Sequence, residues 1–343
     1  MVDNNKKITR RKFLQIGGSA LVGTLFIGVA GRKLWQMLAH PETLFYDTAR
    51  VKAADVAQQR ADFVSPYRRT FAFEAPADIE AMTVADGDIL LVAANQVYVY
   101  GMGGALKDSF PVPSDVRDIT VYDSHIYLLF PTRVEVYDMN GNMHHTWEAC
   151  SDNSDYCAFT VFEGGVFVTD AQNKNICKYH LDGTLDRFID SPAGFVVPSY
   201  SFGITHVGNA VFCSNPGRHA VEQYSVAGDF VASFGKSGAA WGEFSGCCNP
   251  VHLTPAPGGE LLISEKGIPR VSCYSIDGSF RSVLLDDKAL GGGHVAYDVR
   301  AAGDKLIVCG GHKVSVFEYN PQKAANTLCG TCDVECPLKV LQG

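Results

Sequence analysis

Thr83-Val84-Ala85-Asp86-Gly87-Asp88-Ile89-Leu90-Leu91-Val92, continued by Val97-Tyr98-Val99-Tyr100 and closed by Gly104, decides the architecture. Apolar residues come in short runs split by an Asp-Gly turn. That is the pattern of antiparallel hairpins; helical apolar residues recur at every third or fourth position instead. The same features return in the same order down the chain. The threonine recurs at Thr120, Thr160, Thr205 and Thr254, with Arg300 in the sixth place. The tyrosine, with a glycine four residues on, recurs as Tyr137 and Gly141, Tyr179 and Gly183, Tyr224 and Gly228, and Tyr274 and Gly278, while Tyr319-Asn320-Pro321 stands where the sixth belongs. Units of about 40 residues cannot bury both faces of their sheets alone, and radial stacking of such sheets is the β-propeller solution. Six units therefore predict an all-β, six-bladed β-propeller over residues 67–321. The last unit ends after its third strand, Lys313 to Tyr319, and a surplus strand, Arg68 to Phe73, precedes the first. The two are expected to pair and close the ring, which removes an exposed sheet edge.

Composition agrees with a large globular domain. Of 343 residues, 46% are hydrophobic and 19% charged, with a net charge of −8, so neither bulk disorder nor a nucleic-acid partner is expected. Eleven cysteines, an odd number, leave at least one unpaired or chemically active.

Residues 1–31 divide into a basic stretch, Lys6 to Lys12, and an uncharged apolar run, Phe13 to Gly31, which reads as a signal or membrane anchor. Within it, Thr9-Arg10-Arg11-Lys12-Phe13-Leu14-Gln15 resembles the twin-arginine export motif. The plainer alternative is a signal anchor whose arginines follow the charge bias of membrane segments. The resemblance implies export of a folded protein, often one already loaded with a cofactor. It places this chain in the periplasm or on the outer face of the bacterial cytoplasmic membrane. Cleavage after Gly28-Val29-Ala30 and retention as an anchor both stay open. Residues 32–66 read as an amphipathic helical stalk or linker.

Phe234-Gly235-Lys236-Ser237-Gly238, then Gly242, Phe244 and Pro250, resemble the signature of NHL-repeat propellers, and Val166-Phe167-Val168-Thr169-Asp170 with Asn173 and Ile176 resembles the second half of that repeat. The resemblance implies the propeller fold and little about function, because NHL propellers include enzymes, scaffolds and RNA-binding modules.

In a propeller the inner strands begin on one face of the central channel, where ligands usually bind. Two residues before each aligned threonine stand Ala81, Asp118, Ala158, Gly203, His252 and Asp298. Asp118, His252 and Asp298 are candidate metal ligands or acid–base groups, with Arg300 a candidate ligand-binding residue beside them. The competing reading is a satisfied Arg300–Asp298 pair and a histidine bonded to a loop carbonyl.

In the fifth blade, Ser245-Gly246-Cys247-Cys248-Asn249 is longer than the NHL pattern and is expected to bring two adjacent thiols to the channel mouth. Cys247 and Cys248 read as metal ligands, a vicinal disulfide or inert thiols, and Cys157 is a candidate neighbour. Cys177, Cys213, Cys273 and Cys309 read as small core residues. At the other end, Cys329, Cys332 and Cys336-Pro337 resemble the latter part of a bacterial ferredoxin motif, but Asn326 stands where its first cysteine belongs and no second copy is present. The resemblance implies an iron–sulfur cluster whose fourth ligand comes from Cys247, Cys248, His252 or a partner. Zinc, thiol redox chemistry and no cofactor at all are the alternatives. There is no G-x-S-x-G, P-loop, HExxH or C-x-x-C-H motif.

Two functions follow. The first is an exported, membrane-tethered electron-transfer or redox accessory subunit that docks a membrane-bound redox partner and holds a cluster on its cysteines. The second is a propeller binding module or metal-dependent lyase or hydrolase, with its site at the channel mouth and His252, with His294, as inward histidines. Whether the protein is an enzyme is left open by the sequence.

Overall fold

The computed structural model describes residues 63–320. The twin-arginine segment and apolar run, the stalk up to residue 62, and the tail carrying Cys329, Cys332 and Cys336 lie outside the described residues.

Twenty-four strands form six four-stranded antiparallel sheets, each a blade. Blade 1 holds β2 (Ile79–Ala85), β3 (Asp88–Ala93), β4 (Gln96–Gly101) and β5 (Leu106–Pro111). Blade 2 holds β6 (Asp118–Tyr122), β7 (His125–Phe130), β8 (Arg133–Asp138) and β9 (Met143–Glu148). Blade 3 holds β10 (Tyr156–Phe162), β11 (Gly165–Asp170), β12 (Asn175–Tyr179) and β13 (Leu185–Ile189). Blade 4 holds β14 (Ile204–Val207), β15 (Ala210–Asn215), β16 (Ala220–Ser225) and β17 (Phe230–Phe234). Blade 5 holds β18 (His252–Ala256), β19 (Glu260–Glu265), β20 (Arg270–Tyr274) and β21 (Phe280–Leu285). Blade 6 holds β22 (Asp298–Ala302), β23 (Lys305–Gly310) and β24 (Lys313–Tyr319), and takes its fourth strand, β1 (Tyr67–Glu74), from the other end of the domain. In that closing pair Tyr67 faces Tyr319 and Glu74 faces Lys313.

Equivalent positions in the repeats occupy equivalent places in the sheets. Thr83, Thr120, Thr160, Thr205 and Thr254 each pair with an apolar residue of the second strand, namely Leu90, Tyr127, Phe167, Phe212 and Leu262, and Arg300 pairs with Ile307. The glycine after the third strand of the first five blades has a packing reason. Gly104 and Gly278 have φ of +75° and +84°, and a Cβ there would come within 2.7 Å of Phe71 and 2.5 Å of Phe234, on the outer strand of the preceding blade. Each turn thus lies flush on its neighbour, and any side chain would pry the blades apart. The core fills the spaces between blades: Leu90 and Val97 of blade 1 pack with Ile126 and Leu128 of blade 2, all fully buried. A single-turn helix, α1 (Asp287–Leu290), capped by the Asp286 side chain, leads into Gly291 before β22.

Candidate channel-mouth site

The six inner strands enclose a cavity of about 400 Å³. Asp118, His252 and Asp298 are the first residues of β6, β18 and β22, so all three project from the starting ends of inner strands, and all three line the cavity together with Arg300.

Arg300 organises the group. Its Nη1 donates to the Asp298 carboxylate, to the Val299 carbonyl (3.0 Å) and to Thr254 Oγ1 of blade 5 (3.4 Å). Its Nη2 lies 3.8 Å from the Asp118 carboxylate of blade 2. One guanidinium therefore ties together blades 5, 6 and 2, although blade 1 stands between the last two in the ring. Asp118 also accepts from the Ile119 N–H (2.9 Å) and from the Phe159 N–H of blade 3 (3.1 Å). Burial pushes its carboxyl up to about 7; the Arg300 cation and the two N–H donors oppose the shift and the Asp298 charge adds to it. His252 moves the other way. Burial lowers its pKa, the Asp298 charge opposing and Arg300 and Lys266 assisting, so the imidazole is held neutral. The Arg300–Asp298 pair of the plainer reading is present, but no hydrogen bond holds the His252 ring among the described residues.

A second histidine at this cavity was not singled out in the sequence. His206 of β14 accepts from or donates to Thr160 Oγ1 through Nδ1 (2.7 Å) and stacks on Phe162 with 4.3 Å between ring centroids. Its signal was its place immediately after the repeat threonine Thr205. His294, named with His252 as an inward histidine, is instead exposed on the segment before β22.

The Gly-Cys-Cys insertion stands at the rim. The Cys247 and Cys248 Sγ atoms are 3.2 Å apart, and Cys248 Sγ donates to Ser199 Oγ (3.4 Å), next to Tyr200 and Ser201, which line the cavity. Cys247 is exposed and Cys248 buried. Asn249 fixes the loop by donating to the Ser245 (2.5 Å) and Lys266 (2.8 Å) carbonyls. Below it, Arg270 donates to Glu265 (2.5 and 3.1 Å), to the Ala239 carbonyl (3.3 Å) and to the Glu243 carbonyl, and Glu265 accepts from the Ser245 N–H (3.2 Å). Cys157 lies in β10 with its Sγ toward the Asp155 carbonyl (3.7 Å), and burial raises its thiol to about 12.

The metal-ligand expectation meets a different grouping. Among the described residues, the set of three ligand atoms lying within 4.8 Å of one another is Cys150, Asp170 and Cys177. Asp118, His252 and Asp298 do not make such a set among the described residues; the Arg300 guanidinium contacts both carboxylates. Cys177, expected as a lone core residue, has its Sγ 3.0 Å from Cys150 Sγ.

No family model matches the chain, and no curated protein matches it in sequence. Among solved structures it is similar to a catalytically inactive virginiamycin B lyase from Staphylococcus aureus with quinupristin, at 12% identity and TM-score 0.53, over 74% of this chain and 99% of that one. A streptogramin B lyase is similar at 14% identity and TM-score 0.52, over 73% and 98% of the two chains. The Pan2 WD40 domain of Neurospora crassa is similar at 8% identity and TM-score 0.51, over 75% and 97%. At such identities the likeness is one of fold, and the class it defines is the β-propeller, here with six blades.

Proposed function

We propose that this is an exported, membrane-tethered propeller that binds an organic ligand or a divalent metal ion at its channel mouth and offers acid–base chemistry there of the kind a lyase or hydrolase uses. One observation carries the reading: Asp118, His252, Asp298 and Arg300, from three blades, converge on a single cavity in which the His252 ring has no hydrogen bond among the described residues. A cavity of about 400 Å³ is of the size that holds a small organic ligand. A carboxyl that titrates near neutrality and a neutral imidazole lining the same cavity give a proton donor and a proton acceptor at one pH. Export and tethering rest on the twin-arginine-like segment.

Calorimetric titration of the full chain with quinupristin and, separately, with Mn²⁺ and Zn²⁺ tests the site. At least one probe is expected to bind, to remain bound when residues 322–343 are deleted, and to bind about 100-fold more weakly in His252→Ala. Undiminished binding by His252→Ala, or no binding of any probe, overturns the proposal.

A second reading is favoured by the exposed Cys247 beside Cys248 at the rim. These thiols, with Cys329, Cys332 and Cys336, would hold an iron–sulfur cluster in an electron-transfer accessory subunit docked on a membrane-bound redox partner. Protein purified without oxygen is then expected to contain iron and sulfide, both lost when the three tail cysteines become serine. Metal-free protein contradicts this reading.

A further inference from the structure

We propose that Cys150 and Cys177 are a dithiol–disulfide site in blade 3, closed by exchange with an external disulfide. The two residues come from different elements. Cys150 lies in the connection between β9 and β10 and is half-buried; Cys177 lies in β12 and is fully buried. Tyr156 brings them together: its Oη accepts from the Cys150 N–H (3.1 Å), donates to Cys150 Sγ (3.4 Å) and bonds to the Tyr179 hydroxyl.

The Sγ–Sγ distance of 3.0 Å separates the possible uses of the pair. Two thiolates on one tetrahedral zinc, each about 2.3 Å from the metal, stand about 3.8 Å apart. The pair is closer than that, about 1 Å from the length of an S–S bond. Asp170, the third member of the group, is already saturated. Its oxygens accept from the N–H groups of Asp155 (3.1 Å), Gln172 (3.0 Å) and Asn173 (3.1 Å) and from Asn173 Nδ2 (2.9 Å). That carboxylate completes a turn and has no need of a metal. Burial foremost, then the Cys150 thiol and the Asp170 charge, raise the Cys177 thiol, so Cys177 is unreactive alone.

The exposure of the two thiols sets the order of steps. The Cys150 thiolate attacks one sulfur of the external disulfide, forming a mixed disulfide and expelling one thiolate. Cys177, losing its proton to that thiolate, attacks Cys150 Sγ; the mixed S–S bond breaks, the Cys150–Cys177 bond forms, and the second thiolate leaves and takes back from water the proton that Cys150 released when it ionised. Two electrons pass from the protein to the external disulfide, which becomes two thiols. Closure clamps the connection from blade 2 to blade 3, which carries Asp155 to its contact with Arg117 (3.8 Å) at the cavity wall.

The full chain, reduced and then incubated with glutathione disulfide, is blocked with N-ethylmaleimide and digested. Trypsin releases Cys177 after Lys174, and cleavage before Asp152 and Asp155 separates Cys150 from Cys157. The expected product is the Cys150 and Cys177 peptides joined, and separated by reductant. Oxidised protein is also expected to melt about 5 °C higher than reduced protein, a gap that disappears in Cys150→Ser. In Cys177→Ala, glutathione is expected to remain trapped on Cys150. Recovery of both cysteines alkylated after oxidation overturns the proposal, as does stoichiometric zinc that is lost in Cys150→Ser.

Discussion

Replacing Arg270 by methionine is expected to lower the melting temperature by about 8 °C, corresponding to about 3 kcal/mol, the low end of what removing one partner of a buried ion pair costs. Arg270 is 5% exposed and its partner Glu265 1%, so the substitution strands a carboxylate where water cannot reach it. The loss is held to the low end because burial already pushes the Glu265 carboxyl up, which lets it take a proton once the guanidinium is gone. Two loop carbonyls, of Ala239 and Glu243, lose their donor at the same time. The double variant with Glu265→Gln is expected to recover part of the loss, since no charge is then stranded. The consequence reaches the rim: Glu265 anchors the Ser245 N–H at the start of the Cys247–Cys248 loop, so Cys247 should become more reactive to thiol reagents in Arg270→Met. Equal melting temperatures for Arg270→Met and the native chain would contradict the pair's structural role.

The second large effect is on pH dependence. Asp118 has its folded pKa raised from 3.8 to about 7. Between those values the folded chain keeps a proton that the unfolded chain has released. Its contribution to stability is therefore fully present below pH 3.8 and is lost as pH rises through about 7, by up to about 4 kcal/mol. His252 acts in the opposite sense: its depressed pKa gives stability that is present above 6.5 and lost as pH falls. Urea unfolding measured from pH 4.5 to 8 is expected to show a downward slope with rising pH that flattens in Asp118→Asn, and an acid-side loss that diminishes in His252→Gln. An unchanged slope in Asp118→Asn would contradict the assignment.

Much of the fold was legible because the ring repeats one packing problem. A glycine after the third strand and a threonine in the inner strand of five of the six blades mark where one blade meets the next, and these spacings survive differences in loop length. The surplus first strand and the missing last one made the closure legible too, and β1 does pair with β24. Asp118, His252, Asp298 and Arg300 could be placed at the mouth because register fixed them relative to the threonines. Their coupling was not legible. Arg300 reaches Asp118 past blade 1, a contact set by the diameter of the closed ring and by the length of a guanidinium, which no spacing in the chain records. The same holds for Cys150 and Cys177. They lie 27 residues apart on a loop and a strand, and meet only because Tyr156 folds the loop back over β12.

If the channel mouth is one coupled acid–base site, Asp118 reports on it directly. Carbon-13 NMR of protein labelled at the aspartate carboxyls, with Asp118 assigned by its absence in Asp118→Asn, should show a titration centred near pH 7 that moves higher in Arg300→Gln, where the opposing cation is gone. An Asp118 midpoint near that of an exposed carboxylate, unmoved by Arg300→Gln, would contradict it.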